Sequence, residues 1–190
     1  MTNTEIVDLV LRLKKNLDSR QRVLECFCKY GVQVEGWLKG ELLCFLDEEK
    51  EAGRIADFDR EVTLDNTSRK KVDLGIKTSS RFGESEVIIE LKHWLIGYQK
   101  GYKLNANFYF CDPTSVGIKP DVDKLGSVTG RDKFLLILTT ANPGEHDWTS
   151  GVNKFNKKFY PLHIESMTNP SGFPSYYYLG CLKVSKEVAS

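Results

Sequence analysis

Apolar residues at Ile6, Val7, Leu9, Val10, Leu11 and Leu13, with charges between them, follow the three-to-four spacing of an amphipathic helix and predict one over residues 4–15. The spacing continues over 19–30, with Ser19 placed as an N-cap and Gly31 as a stop. A third helix is predicted over about 37–50. The period then falls to two. Residues 60–65, 71–78 and 85–94 alternate and are rich in β-branched side chains, which predicts three strands. Their linkers, Asn66-Thr67-Ser68 and Ser79 to Gly83, are short and polar, so the strands are expected to form an antiparallel meander. Residues 104–111 are aromatic and suit a strand or a buried loop, and Asp121 to Val128 suits a short helix. Lys133 to Thr139 contains the run Phe-Leu-Leu-Ile-Leu, the pattern of a central strand buried on both faces. A surface helix over 147–159, a loop over Asn169 to Pro174 and a strand over Tyr176 to Val184 complete the chain. The expected class is α/β, a central mixed sheet flanked by helices. The whole of 1–190 is expected to be one domain: a helical extension (1–36), a core (37–140), and a C-terminal helix and strand (141–190).

Composition narrows the field. The chain has 190 residues, 41% hydrophobic and 28% charged, which suits a globular domain with a real core. No apolar run approaches the ~20 residues that span a bilayer, and the charged start MTNTEIVDLVLRLKK lacks the layout of a signal peptide. A soluble, cytoplasmic protein is expected. The five cysteines, Cys26, Cys28, Cys44, Cys111 and Cys181, have no zinc-knuckle spacing and are expected to be free thiols. The net charge of +1 lacks the excess of a protein that coats DNA indiscriminately. Basic runs occur at Arg69-Lys70-Lys71, at Lys100 and Lys103, and at Lys154 with Lys157-Lys158; each by itself is expected to be a solvated face.

The candidate chemistry lies in the strands. Alternation over 85–94 puts Glu86, Ile88, Glu90 and Lys92 on one face and Val87, Ile89, Leu91 and His93 on the other. Over 71–77, Val72, Leu74 and Ile76 are expected to share a face, with Asp73 opposite; the small Gly75 beside it would leave room for a ligand. Two neighbouring strands would then each present a carboxylate. Facing carboxylates repel unless a cation or a proton intervenes, and a hard divalent cation takes oxygen ligands. Lys92 could stabilise or deprotonate a metal-bound water, or neutralise a phosphate. In the third helix, Trp37, Leu38, Leu42, Cys44, Phe45 and Leu46 form an apolar arc that includes Glu41. A carboxylate there needs a partner, and a metal site in the adjacent sheet would supply one. Glu48, two turns on, is the reserve.

Glu41 on a helix, Asp73 in the second strand and Glu90-Leu91-Lys92 in the third together resemble the PD-(D/E)XK nuclease superfamily. The resemblance covers roughly residues 37–140 and implies a restriction-endonuclease-like α-β-β-β-α-β core. It also implies Mg²⁺, for which Mn²⁺ can substitute, held by Asp73, Glu90, the backbone carbonyl of Leu91 and Glu41. Lys92 would orient or activate water. Val72 stands where the motif name has proline, which weakens the match of letters more than the chemistry. The implied function is a metal-dependent DNA endonuclease of restriction, defence or repair type, acting on double-stranded DNA and dimerising to cut both strands. An RNA-cleaving endonuclease is a near variant. The competing readings are a nuclease-fold module that binds nucleic acid or protein without cutting, and an α/β module with a fortuitous motif.

The remaining candidates are weaker. His93 faces away from Glu90 and Lys92, and His146 lies in a turn before a helix that Asp147 could cap. His163 has no motif around it. Trp94, Tyr98 and Tyr102 are spaced at four and suit a helix packing face better than base stacking. No Gly-x-Ser-x-Gly, phosphate-binding glycine loop or His-Glu-x-x-His occurs, which argues against hydrolase triads, NTPases and zincins.

Overall fold

A computed structural model describes residues 3–64, 70–80, 83–95, 109–110, 117–140, 145–158, 162–168 and 177–185. Three helices come first: α1 (Asn3–Asp18), α2 (Gln21–Tyr30) and α3 (Glu35–Glu51). Gly31 closes α2 with φ 64, a left-handed conformation that glycine adopts without penalty. Ser19 does not cap α2. Its hydroxyl donates to the Asn16 carbonyl at the end of α1, and Arg20 takes the cap position without a side-chain bond. Strands β1 (Asp57–Thr63), β2 (Lys71–Ser80) and β3 (Gly83–Leu95) follow, then α4 (Lys119–Gly126), β4 (Asp132–Thr140), α5 (Glu145–Lys158), β5 (Leu162–Thr168) and β6 (Tyr177–Val184).

The class is α/β. One six-stranded mixed sheet has the order β1-β2-β3-β4-β6-β5. The first three strands form the expected antiparallel meander, β4 runs parallel to β3, and β6 is antiparallel to β4. A parallel pair needs a crossover, and α4 lies in it. Strand β5 has no counterpart among the sequence expectations. It is an edge strand with a register shift between Ile164 and Ser166, so its apolar positions do not alternate cleanly.

The sheet divides the core in two. On one face Leu74, Ile76, Val87, Ile89 and Leu91 are buried with Ile6, Leu9, Leu13, Leu38, Leu42 and Phe45 of the first three helices. On the other, Ile88 is buried with Ile118, Val122 and Leu125 around α4 and with Val152 and Phe155 of α5. Strand β4 feeds both layers, with Phe134, Leu136 and Leu138 on one face and Leu135 and Ile137 on the other. The continuous apolar run therefore occupies the doubly buried position expected of it. No described helix is long and apolar enough to cross a membrane.

In β2 the simple alternation fails. Leu74 and Ile76 are buried with the first three helices, but Val72 is buried in the opposite layer. On β1, Phe58 and Val62 likewise pack on opposite faces. The cause lies between them: Glu61 has φ 53, and the Glu61/Asp73 position is missing from a ladder that pairs Arg60 with Leu74 and Val62 with Val72. A non-glycine residue in the left-handed region rotates the ribbon locally, and both strands change face there.

Of the segments assigned from sequence, 169–174 lies outside the described residues, as does 104–111 apart from Tyr109 and Phe110, which are helical and not the strand or loop expected there. The same holds for Arg69, Tyr98, Lys100, Tyr102, Lys103 and Cys111. Only the backbone is described for Cys28, His146, Asp147, Lys158 and His163. Cys26, Cys44 and Cys181 take part in no disulfide.

Candidate active site

The distortion at Asp73 opens one end of the sheet. Strands β2 and β3 pair from Ser80 and Gly83 up to Leu74 and Ile89, and the ladder stops there. Strand β3 continues along β4 as far as Leu95 and Thr140, so among the described residues only one edge of β3 is paired by a strand from Glu90 onward. Carboxylates take the place of the missing strand. The Leu91 N–H donates to Asp73 Oδ2 at 2.9 Å, and the His93 N–H to Glu35 Oε2 at 3.4 Å. An unfilled backbone donor in a partly buried position is costly, which fixes Asp73 at the opening. The other oxygen of Asp73 accepts from Lys39 Nζ of α3 at 3.0 Å.

Glu90 and Lys92 project from the same face of β3, as alternation requires, and meet α4. Lys124 donates to Glu90 Oε1, and Lys92 Nζ lies 2.9 Å from Asp121 Oδ2. Asp121 and Lys124 are three apart on α4, which puts them on one helix face. The result is a crossed lattice in which each strand charge meets an opposite helix charge. Next along the strand, Trp94 stacks on Tyr109 with ring centroids 4.1 Å apart and planes within 1°. Trp94 thus belongs to a strand, not to the helix that four-residue spacing suggested.

Glu90 is the most perturbed acid of the group. Burial pushes its pKa up to about 7; the hydrogen bond from Lys124 pulls it down, and the neighbouring Asp73 and Asp121 push it further up. Its second oxygen, Oε2, is buried and has no hydrogen-bond partner among the described residues. For Lys39, burial lowers the pKa, but Asp73 and Glu61 outweigh it and the ammonium lies above its usual value. The Tyr109 hydroxyl is also buried without a partner. Burial and the charges of Asp121 and Glu35 raise it well above the usual phenol value.

The other candidates fall elsewhere. His93 is buried on the opposite face, with Nδ1 3.3 Å from the Val34 nitrogen and 2.9 Å from Gln33 Oε1. Burial pushes its pKa down to about 4, so it is neutral at physiological pH. Glu41 does not reach the sheet site. It accepts from Arg20, at the N-cap of α2, at 3.2 Å. Glu48 is exposed, and so is Cys44, which the apolar arc had included. The buried face of α3 carries Leu38, Leu42, Phe45, Leu46 and Glu49, and Glu49 is held by Arg12 and Arg54. The α3 acid that does reach β3 is Glu35. Nor does Gly75 leave space for a ligand: a Cβ there would lie 2.9 Å from Val62 Cγ2 and 3.0 Å from Glu86 Oε1.

Lys39, Asp121 and Lys124 were not among the sequence candidates. The only signal was the spacing of three between Asp121 and Lys124, which gains meaning once α4 is known to cover β3. A cleft of about 280 Å³ lies at the start of β4, lined by Arg131, Lys133 and Lys183 among others. Its cations are engaged by Glu86, the Val128 carbonyl and Asp132 respectively. Lys154 and Lys157 are exposed on α5, as expected of a solvated face.

Among the described residues, no group of three or more His, Cys, Asp or Glu is arranged to hold a metal ion. Two oxygen donors of the kind a hard cation takes do lie close together. Glu90 offers a buried oxygen without a hydrogen-bond partner, and Asp73 contributes a second carboxylate from the adjacent strand. The chain matches no family model, and no curated protein or solved structure is significantly similar to it.

Proposed function

We propose that this protein is a Mg²⁺-dependent nuclease of the PD-(D/E)XK type, most simply a DNA endonuclease, with Asp73, Glu90 and Lys92 at its centre. The observation that carries this is Glu90: a carboxylate with one buried oxygen that has no hydrogen-bond partner among the described residues, close to Asp73 at the open end of β2 and β3, with Lys92 beside it on the same face. Among the described elements α3, β1, β2, β3, α4 and β4 come in the α-β-β-β-α-β order that the resemblance implies, with further helical residues at Tyr109 and Phe110 between β3 and α4. Asp73 and Glu90 would hold the metal, with the Leu91 carbonyl as a further donor. The bound ion would supply Lewis acidity toward a phosphodiester and lower the pKa of a bound water.

The chain's own part follows from the contacts. Asp73 is locked by the Leu91 N–H, so the two strand carboxylates keep their separation. Asp121 holds the Lys92 ammonium at the mouth of the site, where it can orient water or neutralise a phosphate oxygen. The decisive experiment uses supercoiled plasmid with Mg²⁺ or Mn²⁺, beside Asp73→Ala, Lys92→Ala and an EDTA control. Cutting is expected from the parent and a loss of at least about 100-fold in each variant. Variants that cut as well as the parent would refute the site. Cutting of RNA but not DNA would move the assignment to the RNA-cleaving variant.

One observation favours a second reading. Asp73, Glu90 and Asp121 each meet a lysine, and among the described residues no three acids, histidines or cysteines are grouped as metal ligands. A nuclease fold used only for binding nucleic acid or protein would look like this. It predicts no cutting of plasmid, RNA or branched DNA, with nucleic-acid binding retained in EDTA.

A further inference from the structure

We propose that Lys124 is a resident cation of the Glu90 carboxylate, and that it sets the affinity of the site for divalent ions by competing with them. This rests on the metal-site reading above and adds a residue that the sequence motif does not contain. Three carboxylates (Asp73, Glu90 and Asp121) and three ammonium groups (Lys39, Lys124 and Lys92) face each other in pairs, so each acid of the site already has a cation beside it. A divalent ion entering at Glu90 meets an ammonium already bonded to that carboxylate. It must either displace Lys124 or bear its repulsion at short range in a poorly solvated place.

The three lysines are not equivalent. Lys39 is clasped between Asp73 at 3.0 Å and Glu61 at 3.6 Å. Lys92 faces Asp121, which sits on the rigid turn of α4. Lys124 bonds Glu90 alone, from the last turn of α4. Its flexible stem can swing the ammonium into water. The C-terminal end of a helix carries partial negative charge and favours a cation nearby even after release. Lys124 is therefore the one whose departure disrupts least. It keeps Glu90 ordered without metal and yields when metal arrives.

The test is calorimetric titration of the whole chain with Mn²⁺ alone, comparing the parent with Lys124→Gln, Lys124→Arg and Glu90→Gln. Lys124→Gln is expected to bind Mn²⁺ at least about tenfold more tightly, because the competing charge is gone. Lys124→Arg keeps the charge and should stay within about threefold of the parent, and Glu90→Gln should lose binding. An unchanged or weakened affinity in Lys124→Gln, with the parent binding normally, overturns the inference and leaves the metal site standing. Binding by Lys124→Gln but not by the parent supports competition in its strongest form. If neither the parent nor any variant binds Mn²⁺, the metal-site reading falls and this inference falls with it. Far-ultraviolet circular dichroism confirms that each variant is folded.

Discussion

Two buried glutamates divide the molecule into a finished region and an unfinished one. Glu49, on α3, has both oxygens satisfied: Arg54 bonds Oε1 at 2.8 Å, and Arg12 bonds Oε2 at 2.7 Å. Burial pushes its pKa up, but the two guanidinium groups outweigh burial and hold it below the usual carboxylate range. Glu90, on β3, has one lysine on one oxygen and nothing on the other, and it rises to about 7. Both carboxylates are shielded from solvent, but Glu90 lies deeper among packed atoms and has fewer cations, so the two pKa values move in opposite directions. Two arginine forks can close around a carboxylate and leave it only a structural role. A single ammonium leaves it frustrated, and a frustrated acid in a strand opening is where a ligand has something to gain.

Removing the finished site should cost the most. Glu49→Ala is expected to destabilise the fold by about 2–3 kcal/mol in urea unfolding at pH 7.5, since several charge-assisted bonds go at once. The loss stays at that level because Arg12 and Arg54 are 38% and 47% exposed and can turn to water. A change below half a kilocalorie would mean that the arginine clamp is ornamental.

The pH dependence separates the two glutamates by sign. Glu49, with a lowered pKa, contributes stability above its unfolded value of 4.5 that disappears as pH falls through the folded value. Glu90, with a raised pKa, does the reverse: its contribution grows as pH falls from about 7 toward 4.5. His93, unfolded near 6.5 and folded at about 4, loses stability as pH falls through that interval. Glu90 and His93 therefore oppose each other between pH 6.5 and 4.5. In Glu90→Gln that opposition is gone, and stability should fall by about 2 kcal/mol over the window, against a much shallower slope in the parent. Equal slopes would mean that Glu90 titrates normally.

At pH 8 the same Glu90→Gln substitution should stabilise the fold by about 1 kcal/mol, as a buried charge with an empty lone pair is replaced by a neutral amide. Destabilisation there would show that the Lys124 bond outweighs burial. The smallest effect is expected at Glu41. It forms a single pair with Arg20, which is 51% exposed, and Glu41→Gln should change stability by less than about 0.5 kcal/mol. It should leave plasmid cutting intact, which sharpens the contrast with Glu90.

The parts of the site legible in the sequence were those set by geometry within one element. A strand's period of two placed Glu90 and Lys92 together and sent His93 to the other face, where it is buried against the start of α3. The apolar run at Phe134 to Leu138 likewise announced a doubly buried strand. The same local reasoning failed at Val72. A strand alternates only while its ladder is regular, and the left-handed backbone at Glu61, on a different strand, breaks it. It failed again on α3, where helical spacing identified an apolar arc but not which of its glutamates would find arginines.

What the sequence determined by itself was therefore the identity and facing of groups within each element: three N-terminal helices, a three-stranded meander, a buried fourth strand, and an acid and a lysine two residues apart on one face. These follow from steric periods that a chain cannot avoid. What only the tertiary structure decided was who meets whom. The docking of α4 across β3 gave Glu90 its Lys124 and Lys92 its Asp121. The parting of β2 from β3 turned Asp73 onto a backbone N–H. Glu41 went to Arg20. Such pairings depend on how whole layers pack to bury their apolar faces, a choice made by many residues far apart in sequence, and no short stretch of chain records it.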